Sequence, residues 1–275
     1  MLETLSENKR KNSATHPVMT MALNPRQLAM LQAVREHGAL KTEALAVRFN
    51  TTLQTVRRDI QRLTDAGVLE RFHGGVRSLD SSTRNTAYHE RQRSHAEAKQ
   101  RIARTVAAAI PTGSSLFMNI GTTVEAVANE LLHHQGLRVV TNNLHVARTL
   151  SANPHCEVVV AGGTVRHEDL GVVGEAALSF IGQFKVDIGL IGISGIDPDG
   201  TLRDFDMREV MVARAIVAQS RQVWLVADAS KFGRPAMIEM APLQSVHTLF
   251  TDLPPDPAFA RLLHDLDVRC IVASA

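Results

Sequence analysis

Cysteine is almost missing from this chain of 275 residues, which holds only Cys156 and Cys270. Both lie in apolar stretches, Cys270 within Cys270-Ile271-Val272, so they read as core packing and not as metal ligands or a disulfide framework. Apolar runs near 18 residues are also missing, and no cationic start leads into a shorter one. No segment is therefore expected to enter or cross a membrane, and the expected location is the cytoplasm. No Cys/His/carboxylate group of metal-site spacing surrounds His73, so no metal is expected. The absence of a Gly-x-x-x-x-Gly-Lys-Ser/Thr run and of a dinucleotide fingerprint removes the two commonest nucleotide sites, and no cofactor is expected.

What is present is divided between two regions of opposite charge. Residues 1 to 97 hold 15 Lys/Arg against 10 Asp/Glu, net +5, whereas residues 98 to 275 hold 15 against 18, net −3. A polyanion would bind the first region. Residues 1–22, polar and without apolar periodicity, are expected to be a flexible leader. The remaining length supports two units, the second of roughly 180 residues and able to bury its own core.

Helical periodicity starts after Asn24-Pro25, with Asn24 as cap, Pro25 at the first helical position, and Leu28, Met30, Leu31 and Val34 as the buried stripe. His37-Gly38 ends it. Thr42 is expected to cap a second short helix with Leu45, Ala46 and Phe49 inward. A third helix opens at Thr51 or Thr52, and with Thr51 as cap Gln54 closes a capping box. Leu53, Val56, Ile60 and Leu63 supply its packed face, and Ala66-Gly67 ends it. Gln54, Thr55, Arg57, Arg58, Gln61 and Arg62 face outward.

Such a face suits the DNA major groove, where short polar residues near the helix start reach base edges and arginines reach phosphate or guanine. Gln54, Thr55 and Arg58 are the candidates for base contact, and Arg57 and Arg62 for the backbone. Either of the latter two could equally pair with Asp59 or Asp65. The strand 68–72 and the turn His73-Gly74-Gly75-Val76 then form a wing whose glycines let its tip approach a sugar-phosphate wall, with Arg71 and His73 as further contacts. The DNA-binding set is thus Thr51, Thr52, Gln54, Thr55, Arg57, Arg58, Gln61, Arg62, Arg71, His73, Gly74 and Gly75.

The winged helix-turn-helix is expected over 23–78 and a linker over 79–97, where helical pattern resumes at Tyr88 and runs through Ile102, Val106 and Ile110. Arg91, Arg93, Lys99, Arg101 and Arg104 read as a solvated or interdomain face. Residues 98–275 alternate strands with helices. Strands at 115–120, 137–140, 157–160, 187–193, 223–227, 246–251 and 268–272 predict an α/β unit with a mainly parallel sheet.

Strand ends in such sheets are ligand sites. Gly121, Thr122 and Thr123 can surround a phosphate with amides and hydroxyls at a helix start, although the same residues also make a turn and cap. Thr141, Asn142, Asn143, Gly162 and Gly163 offer polar edges for hydroxyls, or simply turns. Asp204, Asp206, Arg208 and Glu209 form a mixed-charge cluster, and Lys231 is the preferred charge partner for a phosphate.

These motifs together resemble the DeoR family of bacterial regulators over residues 24–275. Thr55-Val56-Arg57-Arg58-Asp59-Ile60 stands where the family has Thr-[Ile/Val]-Arg-Arg-Asp-[Leu/Ile], and His73-Gly74-Gly75 matches its wing. Thr51-Thr52 replaces the usual Val-Ser. The resemblance implies that the larger unit is a sugar-phosphate-isomerase-like sensor of a phosphorylated metabolite, with Gly121, Thr122 and Thr123 at the phosphate. Asn119 replaces an aspartate common there. Runs 119–128, 189–197 and 230–234 resemble members governing glycerol 3-phosphate use, which implies glycerol 3-phosphate as effector and release of a repressor from operators of glycerol genes. Another small sugar phosphate is the alternative effector. A retained isomerase, with Asp204, Asp206 or Glu209 as base, is the alternative class. Double-stranded operator DNA is the expected partner, bound by a homodimer that reads a palindrome, or by a homotetramer.

Overall fold

A computed structural model describes residues 23–274 except Gly38, Gly67, His73, 79–81, Thr83 and Arg84. The expected leader, the helix ends at Gly38 and Gly67, the wing residue His73 and the first part of the expected linker lie outside the described residues.

The first unit consists of α1 (Pro25–His37), β1 (Ala39–Lys41), α2 (Thr42–Arg48), α3 (Leu53–Asp65), β2 (Leu69–Phe72) and β3 (Gly75–Ser78). Helix α1 opens on a reciprocal cap: Gln27 N donates to Asn24 Oδ1 at 2.9 Å and Asn24 N donates to Gln27 Oε1 at 3.1 Å. Its buried stripe is Gln27, Met30, Leu31 and Val34, spaced i, i+3, i+4, i+7, which leaves Leu28 outside and 52% exposed. Strand β3 lies between β1 and β2, antiparallel to both, and the sheet covers a core of Met30, Val34, Leu45, Val56, Ile60 and Leu63.

One cap differs from expectation, and another settles between two alternatives. Thr42 is the first residue of α2 and caps nothing; its N–H and hydroxyl both donate to Gly74 O, at 3.1 and 3.4 Å, tying α2 to the wing. Helix α3 is capped by Thr52, whose Oγ1 accepts from Thr55 N at 3.3 Å. With the cap one residue later, the position three residues on is Thr55, so Gln54 closes no box from Thr51. Leu53, expected inward, is 40% exposed at the first helical position.

The second unit begins with α4 (Tyr88–Arg93) and α5 (Ala96–Ala109). Although α4 falls within the expected linker, its contacts belong to the larger unit, because buried Tyr88 donates to Glu125 Oε2 at 2.8 Å. There follow β4 (Ser115–Met118), α6 (Thr122–Glu130), β5 (Leu137–Thr141), α7 (Leu144–Leu150) and β6 (Cys156–Val160), then β7 (Thr164–Val165), β8 (Val172–Val173), α8 (Glu175–Ile181) and β9 (Val186–Gly192). The chain continues through β10 (Gly195–Ile196), β11 (Thr201–Asp204), α9 (Met207–Ala218), β12 (Ser220–Val226) and β13 (Ile238–Pro242) to β14 (Thr248–Thr251), α10 (Pro257–Asp265) and β15 (Arg269–Val272).

Seven of these strands form one sheet in the order β15-β14-β12-β9-β4-β5-β6, every pairing parallel. Each covers a segment that the sequence predicts as a strand. Apolar clusters pack on both faces, one around Phe117, Ile191 and Leu225 and the other around Leu116, Leu190 and Trp224. The short antiparallel β10-β11-β13 sheet and the β7-β8 pair are not legible in the sequence, because runs of two to five residues carry no periodicity. Cys156 and Cys270 sit on opposite edge strands, six strand spacings or roughly 29 Å apart, so no disulfide joins them. Both are half-buried beside the apolar clusters, and burial pushes both thiols up.

Strand order reverses between β4 and β9. From β4 the chain builds outward through β5 and β6, and from β9 it builds the other way through β12, β14 and β15. In open parallel sheets the crevice for a ligand lies beyond the carboxyl ends of the strands flanking such a reversal.

Candidate effector pocket and DNA-recognition surface

A small cavity of about 30 Å³ lies at that reversal. Ile120, Gly121, Thr122 and Thr123 line it beyond β4, and Gly192, Ile193 and Ser194 at and beyond the end of β9. Asp204, Glu209, Val226, Lys231 and Arg91 complete the wall. Of the residues the sequence proposes for an effector, Gly121, Thr122, Thr123, Asp204, Glu209 and Lys231 are therefore brought together.

Gly121 makes the turn into α6 at φ +136°, a conformation that side chains disfavour, and as N-cap it offers no capping oxygen. The first amides of α6 have no intrahelical acceptor, as at any helix start, and here no side chain of the described residues takes them. By contrast, Asn143, Asp206 and Asp256 cap α7, α9 and α10 with side-chain oxygens. The Lys231 ammonium has no hydrogen-bond acceptor among the described residues. Burial holds it down to about 8, with repulsion from Arg234, Lys99 and Arg91 adding to this and the Asp228 carboxylate opposing it.

The acidic side of the pocket is tied into an arginine cluster. Arg166 donates to Asp169 through Nε at 3.2 Å and through a second nitrogen, and reaches Asp206 at 2.9 Å and Glu209 at 3.0 Å. Burial and the neighbouring Asp204 push Glu209 up to about 8 against the pull of Arg166, whereas Asp204 is raised by burial. Asp206 is held down at about 2, chiefly by Arg208.

The other proposed effector residues do not reach this cavity. Thr141 donates to Met118 O at 2.6 Å and accepts from Asn143 N at 3.0 Å, while Asn142 donates to Val172 O at 3.1 Å. Asn143 caps α7 and donates to Glu125 Oε1 at 3.1 Å. These residues lie at the end of β5 and just after it, and exposed Gly162 and Gly163 follow β6, both to one side of the reversal. Asn119 is buried with its Oδ1 unpartnered but does not line the cavity, and Asp206 is the cap of α9. Arg91 and Ser194 are lining residues outside the set that the sequence proposes. Arg91 reads as part of a solvated or interdomain face, and only the packing of α4 puts it in the wall.

On the first unit, Thr52, Gln54, Arg57, Arg58, Gln61 and Arg62 are exposed and Thr51 and Thr55 half-buried. Asp59 is not a surface residue; it is buried, accepts from Arg26 Nε at 2.7 Å and Gln27 Nε2 at 2.9 Å, and is also stabilised by the charge of Arg62. Gln61 donates to Asp65 at 2.7 Å. Arg71 donates to Arg57 O at 3.1 Å, fastening β2 to α3. Gly74 turns the wing at φ +84°. Gly75 is not a free tip, because a Cβ there would lie 2.6 Å from Leu40 O and 2.4 Å from the Phe72 ring.

Two family models match the chain in succession. Residues 26–82 match the DeoR-like helix-turn-helix domain and residues 94–253 the DeoR C terminal sensor domain. The chain is 46% identical over 249 residues to the glycerol-3-phosphate regulon repressor of Escherichia coli (strain K12), covering 90% of this chain and 98% of that protein. It is 41% identical to the HTH-type transcriptional repressor CsqR of the same organism, covering 90% and 95%. Among solved structures, ribose 5-phosphate isomerase A of Methanocaldococcus jannaschii is similar at a TM-score of 0.38 and 12% identity, over 50% of this chain and 55% of that one.

Proposed function

Because this chain belongs to the DeoR family of transcriptional regulators, we propose that its pocket binds glycerol 3-phosphate and that occupancy releases α3 and the wing from operator DNA. The carrying observation is the Lys231 ammonium, without an acceptor among the described residues, in one cavity with the uncapped first turn of α6 and the Thr122 and Thr123 hydroxyls. An ammonium, oriented amides and hydroxyls are the groups that hold a phosphate dianion. Asp204, Ser194 and Glu209 supply acceptors and donors for polyol hydroxyls. The similarity to a glycerol-3-phosphate regulon repressor supports this ligand. Repressor relatives over nine-tenths of the chain favour a regulator over an isomerase, as do the ion pairs that occupy Asp206 and Glu209.

If the liganded state holds operator less tightly, operator must in turn weaken effector binding by the same factor. Paired α3 helices in a homodimer would read a palindromic operator. Operator-shift titration with glycerol 3-phosphate, glycerol and a panel of small sugar phosphates tests the assignment. Release by glycerol 3-phosphate at lower concentration than by the others is expected; release by glycerol alone, or preferentially by another phosphate, refutes the ligand.

Two further outcomes follow. Arg58→Ala is expected to weaken operator binding by about tenfold or more, the usual cost of a groove-facing arginine, and to leave effector affinity unchanged. Effector affinity is expected to fall about tenfold or more between pH 7 and pH 9. Below about 8 Lys231 is charged; above it the pocket loses that positive charge, which disfavours a dianion. Calorimetric titration at the two pH values checks it, and a flat profile counts against Lys231 as the phosphate partner.

A further inference from the structure

We propose that Arg91 is a second cation for the bound phosphate, and that its turn toward the ligand transmits occupancy to the segment leading into the DNA-binding unit. This rests on the effector reading above. Arg91 belongs to α4, outside the sheet, yet lines the cavity together with Gly121 and Lys231.

Its guanidinium lies 6.0 Å from the centre of the Tyr88 ring and makes no short charged hydrogen bond among the described residues. Its contact with Asp169 is 3.5 Å, long for a charged hydrogen bond, and that carboxylate already accepts twice from Arg166 and once from Gly171 N at 3.2 Å. Arg91 Nε is buried with no partner. A buried donor left unsatisfied is a standing cost that a ligand oxygen removes, and the guanidinium fork matches two phosphate oxygens.

The neighbouring chain is fastened to two walls of the same pocket and to α5. Tyr88 donates to Glu125 in α6, whose first turn forms the anion niche. Upstream, Arg234 Nη2 donates to Asn85 Oδ1 at 3.0 Å and Thr86 Oγ1 at 3.2 Å, while its Nη1 donates to Ser194 O at 2.9 Å. Arg234 lies three residues beyond Lys231, and Ser194 is itself a lining residue. Downstream, Lys99 Nζ donates to the carbonyls of Arg91 and Ser94. Movement of Arg91 by one hydrogen-bond length therefore shifts α4 against these ties, and the chain entering α4 is the one that leaves the wing.

The test uses the full-length chain, glycerol 3-phosphate and an operator duplex. In Arg91→Gln the effector Kd is expected to rise about tenfold, and the ratio of operator Kd with and without saturating effector to fall toward one, while operator Kd without effector stays unchanged. Arg91→Lys, which keeps charge but loses the fork, is expected to respond partially. Hydrogen exchange over 85–93 is expected to change on effector addition in the wild type and not in Arg91→Gln, a difference that a purely structural role would not produce. Full effector affinity and an undiminished ratio in Arg91→Gln overturn the inference and leave the effector reading standing. Loss of operator affinity without effector makes Arg91 a structural tie and also overturns it. A wild type indifferent to every phosphate overturns both.

Discussion

Lys231→Ala is expected to weaken glycerol 3-phosphate binding about a hundredfold while operator affinity without effector stays at the wild-type value. Removing one partner of a buried charge pair costs on the order of 2–5 kcal/mol, and a hundredfold corresponds to about 2.7 kcal/mol. The geometry supports that range: among the described residues the ammonium has no acceptor to leave unpaired, and the helix start beside it has no side-chain cap to replace it. Asp228, which faces Lys231, still has Lys99 and His95 nearby, so the fold should survive the change. The variant should be non-inducible, with normal operator shifts that no longer respond to effector. Calorimetric titration and operator shifts on the same preparation check both halves. Equal loss of both functions in a variant that melts normally would refute the separation of sites.

Asp59→Ala is expected to destabilise the DNA-binding unit by about 2 kcal/mol, because it leaves the buried Gln27 amide without its acceptor and removes the charge that fixes Arg26. Gln27 also closes the cap of α1, so Asp59 joins the recognition helix to the start of the unit. Burial pushes the Asp59 carboxyl up, yet the hydrogen bonds from Arg26 and Gln27 and the charges of Arg26 and Arg62 hold it below the usual carboxylate range. The stabilisation is accordingly present at neutral pH and lost as the pH falls through that lowered value. For a unit of this size the loss corresponds to roughly 10 °C in its melting transition, with the sensor unit unaffected. Asp59→Asn, which keeps an acceptor for Gln27, should fall between. A single unshifted transition in Asp59→Ala would sink this account. It also explains why the Arg-Arg-Asp run is more than a charged surface: two of its members face outward and the third is a core strut.

The sequence alone determined the elements that repeat a simple period. The apolar spacing of Val56, Ile60 and Leu63 gave α3, and seven apolar runs separated by helical stretches gave the parallel sheet, since burial on two faces demands such runs. It also placed Gly121 and Lys231 at strand ends. It did not decide which strand ends share a crevice. Thr141, Asn142 and Asn143 have the same local character as Gly121, Thr122 and Thr123, but β5 lies beside the reversal while β4 borders it. Strand order depends on contacts between residues far apart in the chain, which no local period encodes. The same holds for Arg91 and Asp59. One is drawn from an apparent surface into the pocket wall by the docking of α4, and the other from an apparent surface into the core by α1. A charged side chain reads alike in sequence whether it meets water or a buried partner, and only the packed neighbours settle which.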